Sequence, residues 1–170
     1  MIEEFSGNRP EVAASAWVHR SACLVGRVKL GEDVSVWPGA VLRGDVDRVE
    51  VGRGTNIQDL AVLHPNGGKP VLVGEGVTVG HCAVIHGSVV GGHCLVGMGA
   101  IVMDCEIGEY CVIAAGAVVT PGAKIPPRSM VMGTPGRVKR QLTAGECADL
   151  ARSGKHYMEL AGLYRREASR

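Results

Sequence analysis

Residues 76–86 read GVTVGHCAVIH, a stretch in which aliphatic residues recur every six positions and two histidines stand five residues apart. Val79 and Ile85 set this period, which fits neither the 3.6-residue repeat of a helix nor the alternation of an isolated strand. A period of six is typical of a parallel β-helix, in which each hexapeptide forms one flat side of a three-sided coil.

The same period runs through most of the chain. It links several further groups of aliphatic residues: Val18, Leu24, Leu30, Val36 and Leu42; Val51, Ile57 and Leu63; Val90, Val96 and Val102; Ile107, Ile113, Val119 and Ile125. Glycine often follows the aliphatic position and suits the corners of such a coil, where a positive φ is needed. The sequence therefore predicts an all-β three-sided prism with coils from about Ala16 to Ile125. Pro121, Pro126 and Pro127 are expected to mark their end.

Two segments are predicted. Residues 1–135 form the β-helix, with an irregular N-terminal lead-in that covers its open end. Residues 136–170 form an exit loop and a C-terminal amphipathic helix that packs on the β-helix, because a lone helix would be marginal. Thr143 and Glu146 have the spacing of a capping box, and Gly154 is expected to bend the helix. Trp37 is too large for the narrow core and is expected outside it, at a subunit contact.

Three histidines attract attention because the repeat relates them in space. His64 follows the inward Leu63, and His86 follows the inward Ile85. Once the loop at 65–70 is discounted, the two lie one full coil apart, so they should stack at about one strand spacing, 4.8 Å. His81 falls on the preceding side and should point towards a different edge of the prism. A three-fold trimer would let His81 of one chain complete a site begun by its neighbour.

Three imidazoles are enough to hold a zinc ion and leave its fourth position open for water. The remaining histidines, His19, His93 and His156, are interpreted as surface or corner residues. Polar residues surround the candidate site, and each allows two interpretations. Arg43 and Asp45 share one strand face. They form either a solvated ion pair of little energetic value or a pair that fixes trimer register. Gln58 and Asp59 either orient the metal ligands and a bound water or serve as corner residues.

Composition excludes several classes of function. The 170-residue chain carries a net charge of +1, so it offers no bulk attraction to nucleic acid or to an anionic membrane. No apolar run approaches the length of a membrane span, and the residues after Met1 lack a basic-then-apolar signal. The six cysteines show neither metal-binding spacing nor a disulfide framework. The chain is therefore expected to be cytoplasmic.

The residues singled out above resemble the γ-class carbonic anhydrase family, in its compact bacterial branch. The matching stretches are residues 35–45 with Arg-Gly-Asp, residues 55–59, His64, Gly80-His81 through His86-Gly87, and residues 95–100. The resemblance implies a homotrimer of left-handed parallel β-helices that hydrates carbon dioxide to bicarbonate with a metal-bound hydroxide at the subunit interface. The metal would be zinc, with iron or cobalt as alternatives.

The resemblance also implies roles for individual residues. His64 and His86 of one chain and His81 of the next would hold the metal. Gln58 would contact the metal-bound water, Asp59 would support the site, Arg43 and Asp45 would pair between subunits, and Tyr157 would lie near the metal. The chain departs from the archetype at Val46, where a glutamate is expected, and in the loop at 65–70, which has no carboxylate.

Two further hypotheses keep the fold and change the function. One is an acyl-CoA thioesterase or a related acyltransferase, in which Arg137, Lys139 and Arg140 meet the phosphates of CoA. The other is a non-catalytic, metal-stabilised scaffold, which the valine at position 46 favours.

Overall fold

A computed structural model describes residues 1–168 of the chain, which form a parallel β-solenoid of about seven turns and a C-terminal helix. The predicted fold class is confirmed. The predicted division at 135/136 falls between the last two strands, and the last two residues of the predicted helical segment, 169–170, lie outside the described residues.

Most strands are only two or three residues long, because each hexapeptide gives its other residues to a corner. In chain order the strands of residues 1–168 are β1 (Ile2–Glu3), β2 (Glu11–Val12), β3 (Trp17–Val18), β4 (Cys23–Leu30), β5 (Ser35–Val36), β6 (Val41–Val51), β7 (Asn56–Ile57), β8 (Val62–His64), β9 (Val71–Val73), β10 (Thr78–Val79), β11 (Val84–His86), β12 (Val89–Val90), β13 (Leu95–Val96), β14 (Ile101–Met103), β15 (Glu106–Ile107), β16 (Val112–Ile113), β17 (Val118–Val119), β18 (Lys124–Ile125), β19 (Ser129–Met132) and β20 (Arg137–Gln141).

These strands stack into three faces with parallel pairing. The first face, which carries the candidate site, stacks β4, β6, β8, β11, β14 and β17. The second stacks β2, β4, β6, β9, β12, β15 and β18, because the long β4 and β6 turn a corner and serve two faces. The third stacks β3, β5, β7, β10, β13, β16, β19 and β20.

The six-residue period becomes a set of columns in the core. On the first face the inward residues pair in register and are buried from end to end: Leu24, Leu42, Leu63, Ile85, Val102 and Val119. Burying each such side chain contributes about 1.5–3 kcal/mol relative to leaving it in water. The narrow prism thus forces every repeat into one register, and that register fixes which outward residues are neighbours.

Both ends of the solenoid extend further than predicted. The lead-in supplies β1 and β2, which pair in parallel with β4 and so add to the first coil. Pro126 and Pro127 do not end the coils as expected, because they occupy the corner between β18 and β19, where no strand hydrogen bond is lost. The solenoid continues through β19, and β20 then returns along it antiparallel.

Helix α1 (Ala144–Ala168) packs on the third face, against β3, β5 and β7. The predicted capping box is present: the backbone N–H of Glu146 donates to Thr143 Oγ1, and that of Thr143 donates to the Glu146 carboxylate. The helix runs through Gly154 without interruption. The glycine is buried where the helix approaches the turns of Gly54 and Gly76, so it serves close packing.

Trp37 lies outside the prism core, as predicted, but its expected exposure to a neighbouring subunit is wrong. The indole is buried beneath α1, with Tyr157 and Tyr164 packed edge-on at centroid distances of 5.8 and 5.2 Å. Its Nε1–H donates to Ser35 Oγ at 3.0 Å. The aromatic residues therefore fasten the helix to the third face of the same chain. Within the described residues, no helix has the length and apolar character needed to cross a lipid bilayer.

Candidate metal centre

His64 and His86 end adjacent strands at one edge of the first face. Strands β8 and β11 pair in parallel with His64 directly opposite His86, as the repeat predicts. The two half-buried imidazole rings lie 5.4 Å apart between centroids and are inclined at 41°. This places two imidazole rings side by side at one edge of the solenoid.

His64 contacts a carboxylate that is itself held by an arginine. Its Nε2 lies 2.9 Å from Asp45 Oδ1, while Arg43 donates to Asp45 Oδ2. Burial alone would raise the pKa of Asp45, but hydrogen bonds from His64 and Arg43 outweigh it and hold the pKa below its ordinary value. Arg43 and Asp45 thus form an ion pair within one chain, with the carboxylate ionised next to the histidine edge.

His81 lies in the corner between β10 and β11, where the third face meets the first. It was predicted on the preceding side and towards a different edge of the prism, and this corner is the edge of the first face opposite His86. Ala83 to His86 spans three residues, which at about 3.3 Å per residue separates the two edges by about 10 Å. The His81 Nδ1 lies 2.9 Å from Asp59 Oδ2, and about half of the imidazole remains exposed. With Nδ1 engaged by Asp59, Nε2 is the nitrogen of His81 that would be left for a metal.

The third carboxylate was missed by sequence reasoning. Asp104 follows β14, and its Oδ1 lies 3.5 Å from His86 Nδ1. The repeat itself could have identified this aspartate. Because His86 pairs with Met103, the next residues, Gly87 and Asp104, lie one above the other at the same corner.

Among residues 1–168, no group of three or more histidine, cysteine, aspartate or glutamate side chains is placed to hold a metal ion within one chain. The stacked His64 and His86 nevertheless suit a borderline-soft ion such as zinc. Asp104 Oδ1 is buried without a hydrogen-bond partner in the described chain, and it faces the Nδ1 side of His86, which leaves Nε2 for a metal. His64 differs, because its Nε2 is the nitrogen that contacts Asp45 Oδ1. The pair would therefore hold a metal through these two nitrogens only with Asp45 displaced from His64, and a third protein ligand would have to come from another molecule.

Gln58 is held by a buried chain of side-chain hydrogen bonds. Its Nε2 donates to Asn56 Oδ1 at 3.1 Å, and Asn56 Nδ2 donates to Thr78 Oγ1 at 2.9 Å. All three residues are buried. This chain of hydrogen bonds fixes the Gln58 amide, as a group that orients a small polar ligand requires.

Tyr157 of α1 lies on the Asp59 side of the site. Burial and the negative charge of Asp59 together raise the pKa of the Tyr157 hydroxyl above its ordinary value. The tyrosine is therefore protonated and neighbours the edge that carries His81, opposite the edge of His64 and His86.

The repeat and the fold define the chain as a hexapeptide-repeat β-solenoid protein. Comparison with known proteins shows to which family within this class the chain belongs. The chain is 39% identical to the carbonic anhydrase of Geobacillus kaustophilus, over 97% of this chain and 91% of that protein. It is 40% identical to the mitochondrial γ carbonic anhydrase 2 of Arabidopsis thaliana, over 95% of this chain and 60% of that protein.

Among solved structures, a hexapeptide transferase family protein from Anaplasma phagocytophilum superposes with a TM-score of 0.92 at 36% identity, over 96% of this chain and 97% of that one. No protein-family model matches the chain. The chain belongs to the γ-carbonic anhydrase family, and the resemblance found in its sequence is confirmed.

Proposed function

We propose that the protein is a homotrimeric, metal-dependent γ-type carbonic anhydrase that converts carbon dioxide and water to bicarbonate and a proton. One observation carries the proposal: His64 and His86 stack at one edge of a face, while His81 lies half exposed at the other edge. A complete set of three imidazoles then requires two chains.

The surroundings of His81 support a contact with another copy. Leu60 and Met98 lie in the corners of the coils on either side of it and are 60% and 59% exposed, and exposed apolar side chains that cluster in this way often mark a contact surface. In a closed three-fold ring, each chain offers its His81 edge to one neighbour and its His64–His86 edge to the other. Such a ring has three equivalent sites, and Arg43 and Asp45 at the second edge are in position to exchange partners across the contact.

The chain's own residues position the reactants. Asp59 fixes the tautomer and direction of His81 through its 2.9 Å contact. Gln58, locked by Asn56, presents its amide as an orienting group for the small substrate. A metal ion held by His64, His86 and the partner's His81 would supply Lewis acidity, which lowers the pKa of bound water to about 7. Zinc is the proposed metal, with iron or cobalt as alternatives.

The chain lacks the acidic side chains that the archetypal γ-carbonic anhydrase is expected to use to release the product proton. Val46 is half exposed where the archetype has a glutamate, and the loop at 65–70 contributes an asparagine and a lysine but no carboxylate. Proton export then depends on buffer that reaches the site directly. We therefore expect turnover to rise with buffer concentration over a wider range than in an enzyme with its own shuttle.

A hexapeptide acyltransferase is the second candidate, because a solved relative at 36% identity bears a transferase family name. Such an enzyme needs one catalytic histidine and no metal. The three histidine–carboxylate pairs favour the metal enzyme. The six cysteines, all unpaired, are compatible with the reducing cytoplasm, where we place the protein.

The test is metal content of anaerobically purified protein followed by stopped-flow carbon dioxide hydration on the same sample. We expect one metal per chain with turnover, and loss of both in His64→Ala. The matched control is His156→Ala, which removes an exposed histidine of α1 and should change neither quantity. Metal without turnover would refute the carbonic anhydrase assignment, and wild-type protein without metal would refute the shared site.

A further inference from the structure

Asp104 occupies a corner of the prism. It has a positive φ of 44°, a conformation that aspartate tolerates, and a side chain only 15% exposed. A carboxylate so largely removed from water is costly unless its surroundings compensate. The groups around this carboxylate come from the two preceding coils.

The corner glycine of the preceding coil makes room for the carboxylate. A Cβ atom added to Gly87 would lie 2.4 Å from Asp104 Oδ1, well inside contact distance. Gly87 immediately follows His86, so the absence of a side chain there opens the path from Asp104 to the imidazole. Any other residue at position 87 would separate the two.

The two carboxylate oxygens have different surroundings. Asp104 Oδ2 accepts hydrogen bonds from Asn66 Nδ2 and Lys69 Nζ, each at 3.3 Å. Oδ1 is buried without a hydrogen-bond partner among the described residues, and the His86 Nδ1 lies 3.5 Å away. An unsatisfied buried carboxylate oxygen is expensive, whereas a proton on His86 Nδ1 would satisfy it.

The partners of Oδ2 suit this arrangement. Asn66 and Lys69 both donate to this oxygen, so the carboxylate acts as an acceptor there. Asn66 and Lys69 also close a small hairpin through their backbones, and this loop begins directly after His64. One carboxylate thus reaches both the His86 ring and the segment that follows His64.

We propose that Asp104 is a positioning residue: it holds His86 in the tautomer protonated at Nδ1, so that Nε2 is presented to the metal, and it restrains the loop after His64 with its other oxygen. Only one part of the inference, the presentation of Nε2 to a metal, rests on the proposed function. The tautomer of His86 is a property of the chain itself and exists without metal.

The first measurement is the tautomer of His86 in metal-free protein, by ¹⁵N–¹H correlation of the imidazole at a pH where the ring is neutral. We expect the Nδ1–H form in the wild type and a shift towards the Nε2–H form in Asp104→Ala. Asp104→Asn keeps the size of the side chain and one acceptor oxygen, so it should fold even where Asp104→Ala does not. Its tautomer ratio should lie between those of the wild type and Asp104→Ala.

The second measurement is zinc affinity by chelator competition. Loss of an outer carboxylate of this kind lowers metal affinity about 10–100-fold. The matched control is Glu106→Ala, two residues away, whose carboxylate is 64% exposed and pairs with Lys124; it should bind as the wild type does. An unchanged tautomer in Asp104→Ala, or an equal loss of affinity in Glu106→Ala, would overturn the proposal. A wild type without zinc affinity would refute the metal site, while the tautomer would still decide the role of Asp104.

Discussion

Mixing two inactive variants provides a quantitative test of the shared site. His81→Ala removes the ligand from one edge, and His86→Ala removes a ligand from the other edge, about 10 Å away on the same face. Each variant alone should form trimers without a complete site. In a mixed trimer, a site is restored wherever a His81→Ala chain supplies the His64–His86 edge and a His86→Ala chain supplies His81.

The expected recovery follows from the geometry of the ring. With equal amounts of both chains and random assembly, one half of the contacts have the required chain on one side and one half of those have the required chain on the other. About one quarter of the wild-type metal content and turnover should therefore return.

The assay is co-expression of the two chains in equal amounts with different affinity tags, followed by metal analysis and carbon dioxide hydration on the whole trimer population. Trimers selected for both tags should recover about one third, because each mixed ring has one restored contact in three. His64→Ala mixed with His86→Ala is the matched control, because both lesions lie on one edge and no arrangement repairs them. Recovery in neither mixture would show that each site lies within a single chain, and the edge argument would be refuted.

Three further predictions concern the scaffold. Ile113 is fully buried in the core, so Ile113→Ala should lower the free energy of unfolding by about 2–5 kcal/mol, and Ile113→Val by about 0.5–1.5 kcal/mol, in urea titration. A Cβ on Gly154 would meet backbone oxygens at 3.4 and 3.5 Å, an ordinary contact. Gly154→Ala should therefore raise stability by up to about 1 kcal/mol, whereas Gly154→Leu should lower it because the longer side chain displaces α1 from Gly54 and Gly76; a stable leucine variant would contradict this packing. Hydrogen bonds from Arg140 and from the Thr143 backbone lower the pKa of Glu146 from 4.5 to about 2. A carboxyl with a lowered folded pKa stabilises above its unfolded pKa and loses this contribution as pH falls towards the folded value. The difference in melting temperature between wild type and Glu146→Gln should thus be constant above pH 5 and shrink towards pH 2; a difference independent of pH would exclude the ionised cap.

The register of the solenoid was predictable because the core is too narrow to accept any other pattern. Each inward aliphatic residue must lie above its counterpart one coil earlier. Counting repeats therefore placed His64 against His86 once the loop at 65–70 was recognised. The same counting placed His81 on a different edge. These predictions needed no knowledge of any contact beyond the repeat itself.

Features that depend on contacts across the repeat were not predictable. The burial of Trp37 depends on where α1 lies, and nothing in the hexapeptide pattern specifies the face that a terminal helix covers. Asp104 reaches its partners across Gly87 and two coils, so no local motif identifies it. Pro126 and Pro127 predict an end of the coils, because proline interrupts a strand. At a corner of the solenoid, however, the backbone N–H that proline lacks is not needed for strand pairing. The roles of Gln58, Asp59 and Tyr157 stay predictions.

A stack of identical coils has no intrinsic length, and an open final edge would accept the first strand of another molecule. Strand β20 (Arg137–Gln141) prevents this at the C-terminal end. It runs opposite to every other strand, and its residues are exposed, with cations at Arg137, Lys139 and Arg140. A strand added beyond β20 would meet an exposed, basic edge of reversed polarity, a combination that discourages further parallel pairing. The last strand of the third face thus closes that face at its C-terminal end.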